Sequence, residues 1–351
     1  MLRNVIALLC LSGAALAETP KVATDIAPVH ALVSEVMAGI GTPDLVVPAT
    51  ASPHHHAMRP SEARMLSEAD IVIWMGPGLT PWLEEPITSL ASDARDIRLQ
   101  DLPGTLALAI REGAFFDSHD HGHDHGQDKD HAHEEEGHAE HADEGHDHEG
   151  HEHEEHDHKA EDHADHAHEE DGHHDHAASG GIDPHQWLDA SNAIFWMTQI
   201  AVALGQQDPD NAERYLANAQ AAGESLSAVD AQIEAQLAPV RDAPFLILHD
   251  GLQYFEARYG LAAQGAVSDS EDDAPGPARV ADLRAALQES DVHCALVEPQ
   301  SDLRLLETVI EGLDIKIVEI DLIGAHTVGV PKGYEHLLTE LSNNIAHCLS
   351  R

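Results

Sequence analysis

The chain is poor in cations: 18 Lys and Arg stand against 64 Asp and Glu, giving a formal net charge of −46 over 351 residues. That balance argues against nucleic acid or an anionic membrane surface as a partner, since both would repel it. Beyond the N-terminus no apolar run approaches the ~20 residues of a membrane span. No H-E-x-x-H occurs, and no acid stands as a general base beside a ligand pair, which argues against a zinc-dependent hydrolase. Cysteine is scarce, with three in the whole chain.

What is present begins with "MLRNVIALLCLSGAALAETP". Arg3, the apolar run from Val5 to Leu16, and Ala15-Leu16-Ala17 before Glu18 have the form of a secretory signal with an A-x-A cleavage site. Residues 1–17 are expected to be removed on export, leaving a soluble chain. Cys10 does not fit a lipid anchor, because Leu9 precedes it where a small residue is needed. Cys294 and Cys348 then remain. An even pair in an oxidising compartment most simply forms one disulfide, and two buried thiols are the alternative.

The acidity is concentrated. Residues 118–176 hold 20 of the 30 histidines and 23 acids against two lysines, a formal charge of −21. This stretch has no apolar periodicity, so it cannot offset the entropy of ordering and reads as a disordered insertion. Its histidines, among them His119, His121, His123, His125, His131, His133, His146, His148, His151, His153, His156 and His158, are candidate auxiliary low-affinity metal ligands. A disordered wrap loses entropy for each ion it holds, so its affinity per ion should fall below that of a preformed cleft. Capture, transfer or sensing of a metal suits it, and a solvating spacer is the plainer role.

Elsewhere short β-rich runs alternate with helical patterns. Strands are expected at 21–25, 44–49, 70–76 and 96–102, with helices at 27–39, 61–69, 80–91 and 189–205, the last stopped by Gly205. A second set follows: strand 244–250, helices 251–260 and 276–290, strand 293–299, helix 301–313, strand 315–321 and helix 333–349. Such alternation implies an α/β fold of two lobes with central, mostly parallel sheets. One long helix is expected over 208–237, opened by Asp208 and Pro209, and long enough to bridge them. The expected organisation is an N-terminal lobe at 18–205 that carries the insertion, a linking helix at 206–240 and a C-terminal lobe at 241–351.

Three histidine groups outside the insertion fall where apolar runs meet turns: "SPHHHAMRP", "GIDPHQW" and "FLILHDG". In open parallel sheets a ligand lies beyond the carboxyl ends of the strands. His249 and Asp321 sit at such ends, and His54 and His185 follow strand or turn signals. Imidazoles with at most one carboxylate suit zinc, whereas manganese prefers more oxygen. A lone strand-end histidine is commonly structural, Asp321 is equally suited to capping the turn after it, and His55 and His56 read as solvated or supporting neighbours.

"ASPHHHAMRPSEARMLSEADIVIWMGPGLTPWLE", "DPHQWLDASNA", "FLILHDGLQYFEARYGL", "CALVEPQ" and "EIDLIG", in this order, resemble the metal-binding receptors of bacterial ABC importers, and among them the periplasmic zinc-binding proteins. The resemblance implies two α/β lobes joined by a rigid helix with the metal in the cleft between them. It implies Zn2+ held by His54, His185 and His249, with Asp321 or water in the fourth position, and a Cys294–Cys348 disulfide. Histidine rather than glutamate at position 249 favours zinc over manganese. Where some zinc receptors carry an acid before the first ligand, this chain has Pro53. No catalysis is implied. The expected partners are a membrane permease and its ATPase, with a periplasmic zinc chaperone as a further candidate, and the expected state is a monomer. A stand-alone zinc store is the alternative of a different class.

Overall fold

Strands buried on both faces build the centre of each half of the molecule. The computed structural model describes residues 19–111, 116, 181–268 and 276–350. The expected leader 1–17 and the expected insertion 118–176, with its twelve candidate auxiliary histidines, lie outside the described residues. In the first lobe β1 (Val22–Thr24), β2 (Asp44–Leu45), β3 (Ile71–Trp74) and β4 (Arg95–Arg98) form a sheet of order β2-β1-β3-β4. In the second, β5 (Phe245–His249), β6 (Ala263–Ser268), β7 (Cys294–Val297) and β8 (Lys316–Glu319) form a sheet of order β6-β5-β7-β8. Every strand pair in both sheets is parallel.

The apolar strands VAT, IVIW, FLILH and CALV are buried throughout, as expected of parallel strands covered on both faces. The edge strands β4 (RDIR) and β8 (KIVE) are largely exposed and carry charge, which discourages pairing with another chain. Helices α1 (Ala27–Val36), α2 (Pro60–Ser67) and α3 (Glu84–Leu90) belong to the first lobe. Helices α6 (Gln253–Tyr259), α7 (Pro277–Glu289), α8 (Leu303–Ile310) and α9 (Gly333–Leu349) belong to the second.

Between the sheets run α4 (Ala190–Gln207) and α5 (Ala212–Leu237). At 26 residues α5 is about 39 Å long, given a rise of about 1.5 Å per residue. It packs on α4 and α1 and also on α9. Its buried face, Tyr215, Ala219, Gly223, Leu226, Ile233 and Leu237, joins one hydrophobic core that reaches from Val22 to Leu349. Trp187 adds a direct tie, its Nε1–H donating to Leu322 O at 2.8 Å. Among the described residues no helix is long and apolar enough to cross a membrane.

Two local expectations change. Gly205 does not stop α4, which continues to Gln207; instead, a Cβ at Gly205 would lie 2.9 Å from that of Ala212, so the glycine lets the start of α5 approach. Asp208 and Pro209 open the 3-10 turn Pro209–Asn211 that runs into α5, as expected, while Asp208 also closes α4, and its carboxylate accepts from Asn211 Nδ2 and the Tyr215 hydroxyl. The strand β6 was unforeseen, because AQGAVS holds one β-branched residue and no alternation. Cys294 and Cys348 are joined in a disulfide that ties the start of β7 to the end of α9.

Candidate metal centre

Both sheets repeat one strand order, so each has its crevice beyond the carboxyl end of its first strand, β1 or β5, where the connections diverge to opposite sides. His249 is the last residue of β5, locked between β6 and β7. His185 stands on the turn before α4. Asp183 shapes that turn: its Oδ1 accepts the His185 backbone N–H at 2.9 Å. Asp189 then caps α4 by accepting from the N–H groups of Ser191 and Asn192. His54 lies on the loop between β2 and α2, where Trp82 Nε1–H donates to Pro53 O at 2.8 Å.

These three elements bring one nitrogen from each of His54, His185 and His249 to within 4.8 Å of one another. The ring centroids are 5.8 Å (His54–His185), 6.0 Å (His54–His249) and 5.0 Å (His185–His249) apart. Two ligand nitrogens of a tetrahedral zinc stand about 3.4 Å apart, given Zn–N bonds of about 2.1 Å. His185 and His249 are buried and His54 is half-buried. The trio opens on a cavity of about 510 Å³ whose walls include Gln100, Asp101, Arg111, Asp183 and Asp250.

Two buried carboxylates orient two of the rings. His185 Nδ1 is 2.7 Å from Asp183 Oδ1, and His249 Nδ1 is 2.8 Å from Glu298 Oε1. In each pair the carboxylate accepts the Nδ1–H, which fixes the tautomer and leaves the Nε2 lone pair to bind an ion. Gln300 in turn donates to Glu298 Oε2 at 2.8 Å. Gly251 backs the trio: a Cβ there would come within 3.2 Å of the His249 ring, 3.3 Å of His185 Nε2 and 2.8 Å of the Leu322 side chain. Sequence reasoning missed Asp183, Glu298 and Gly251. Asp183 had a local signal, an acid two residues before His185. Glu298 is 49 residues from its histidine and had none.

The other expected residues fall elsewhere. His56 turns from the trio, with its Nε2 2.7 Å from Glu62 Oε2 and its ring against Trp82, and His55 is exposed. Asp321 is not in the three-histidine group. Its oxygens accept the backbone N–H groups of Ile323, Gly324 and Ala325 at 2.9, 2.7 and 2.6 Å, so the carboxylate caps the turn that presents Leu322 to Trp187 and Gly251.

Two α/β lobes meeting at a buried cluster of imidazoles define the class as that of cleft-binding receptors. A ZnuA deletion mutant with zinc bound shares the fold, with a TM-score of 0.68 at 18% identity, covering 95% of this chain and 99% of that one. The family model described as "Zinc-uptake complex component A periplasmic" matches residues 22–348, and the chain belongs to that family. The high-affinity zinc uptake system protein ZnuA of Brucella suis is 38% identical over 340 residues, covering 97% of this chain and 95% of the relative. That of Paracoccus denitrificans is 40% identical over 334 residues, covering 95% and 93%.

Proposed function

We propose that this protein is the periplasmic receptor of a zinc importer, binding one Zn2+ tightly through His54, His185 and His249 and delivering it to a permease driven by an ATPase. The observation that carries this reading is the convergence of three imidazoles, two of them with Nε2 prepared by a buried carboxylate. Three neutral nitrogens satisfy zinc, and a fourth position stays open to water or to Asp321 if its turn rearranges. Membership of a periplasmic zinc-uptake family supports the cargo and the compartment. The leader 1–17 is cleaved on export. Binding and release are the whole function, and no bond in a substrate is made or broken.

The histidine-rich insertion 118–176 serves as an auxiliary collector or sensor of zinc. Zinc titration of the chain lacking 118–176 separates this from a stand-alone store. The receptor retains one tight zinc per chain, and that zinc is lost on His249→Ala. A store loses its tight zinc with the insertion.

A further inference from the structure

In the cavity wall beside the trio one cation is committed wholly to the second lobe. Arg111 Nε donates to Asp250 Oδ2 at 3.0 Å, and Nη2 contacts Asp250 Oδ1. Nη1 and Nη2 each donate to Glu256 at 2.9 Å. The side chains of Asp250 and Glu256 are 8% and 4% exposed, so the guanidinium neutralises two acids that water barely reaches. Burial pulls the Arg111 pKa down, and the bonds and charges of Glu256 and Asp250 more than reverse this, leaving it raised. The guanidinium also lies 3.9 Å from the centre of the Phe116 ring, and the Phe116 N–H donates to Gln264 O of β6 at 2.9 Å.

The backbone that carries Arg111 belongs to the other half of the site. Ala109 bridges Ile182 in antiparallel fashion. The Ile110 N–H donates to Gly181 O and the Asp183 N–H to Leu108 O, both at 2.9 Å. This ladder therefore holds Asp183, which orients His185. On the other side, Asp250 directly follows His249. Tyr254 of α6 reinforces the join, its hydroxyl accepting from the Leu108 N–H at 2.8 Å and donating to Asp183 O at 3.1 Å. One planar fork thus connects the segment that supports His185 with the residue after His249. Only a guanidinium engages two carboxylates in this way; an ammonium is a single point charge.

We propose that Arg111 is a positioning residue: it latches the 108–111 ladder to Asp250 and Glu256, keeps His185 and His249 at bonding separation, and sets how slowly zinc leaves. This rests on the three-histidine reading of the site. A guanidinium with a merely structural role would lower the melting temperature of metal-free and zinc-loaded protein alike, leaving zinc release unchanged. The latch makes a different forecast.

The test is stopped-flow transfer of zinc from the full chain to excess chelator, read beside the melting temperature of the metal-free protein. Arg111→Ala is expected to keep one zinc per chain and to release it about tenfold faster or more, the scale on which outer groups tune metal sites. Arg111→Lys should recover metal-free stability while keeping the faster release. Asp250→Asn, a milder change, should speed release in the same direction. Release within twofold of wild type in Arg111→Ala, or in Asp250→Asn where the alanine variant does not fold, overturns the latch. Tight zinc binding by wild type, abolished by His249→Ala, leaves the histidine site standing in that case. Absence of tight zinc from wild type sinks the site itself.

Discussion

The two sheets share a strand order yet seat their histidines by different means. In the second lobe His249 ends a central strand and inherits its place from two parallel neighbours and the core beneath. In the first lobe His54 rides a loop and depends on side-chain fasteners, among them the Trp82 bond to Pro53 O and the Glu62 grip on His56 and on the Arg59 N–H. A ligand on a buried strand is placed by the fold as a whole. A ligand on a loop is placed by a few bonds that can each be cut.

The largest effect should come from the two buried rings oriented by carboxylates. His249→Ala or His185→Ala removes a prepared ligand from a buried position, and zinc affinity should fall by more than about 100-fold in chelator competition, beyond what outer groups contribute. His54→Ala should cost less than either, because its loop can shift to let water replace the ring; equal losses would erase the distinction between the loop histidine and the buried ones.

Next come the carboxylates. Glu298→Gln keeps the shape but loses the charge that holds the His249 proton on Nδ1, and affinity should drop about 10–100-fold. Asp183→Asn should do the same for His185 and also loosen the turn, since Asp183 holds the His185 N–H as well. Calorimetric titration of both variants checks this. No change in either would mean that the two rings bind zinc without oriented tautomers.

Smaller still is Trp82→Phe, which keeps the ring and deletes one N–H bond to the His54 loop. A net hydrogen bond of about 1 kcal/mol corresponds to roughly a fivefold loss of affinity. The same cut has no counterpart beneath His249.

The last prediction should leave zinc affinity untouched and read only stability. Burial pushes the Asp25 carboxyl up to about 7, against the Met75 and Ile26 N–H groups that favour its charge. The folded chain therefore keeps this proton where the unfolded chain has lost it. Stability falls as pH rises from about 4, the unfolded value, to about 7 and then levels off. Burial lowers the pKa of His30 and works in the opposite sense, so the wild type must be compared with Asp25→Asn in denaturant melts. The stability advantage of wild type over the variant should shrink with rising pH across that window, and an unchanging difference would refute the assignment.

The convergence of the proposed site was legible in part because its histidines sit where the hydrophobic pattern breaks. His249 closes FLILH and His185 follows Asp-Pro, so both were placed before any contact was known. Asp321 shows where such reading stops: a carboxylate after a strand suits an ion or a turn equally, and three backbone N–H groups now occupy it. Glu298 was invisible because nothing in VEPQ announces a partner on another strand. Gly251 was invisible because the need for a missing Cβ arises only once His185 and Leu322 have arrived beside it.

Local chemistry alone determined the alternation of strands and helices, the buried character of the central strands, the polar edges and the long bridging helix, since each follows from residues near one another in the chain. Packing decided the rest. The meeting of His54, His185 and His249, the proton position on His249 and the grip of Arg111 on Asp250 and Glu256 all join residues at least 49 apart in the chain. Their separation depends on how α4, α5 and two sheets fill one core, which no short stretch of sequence encodes.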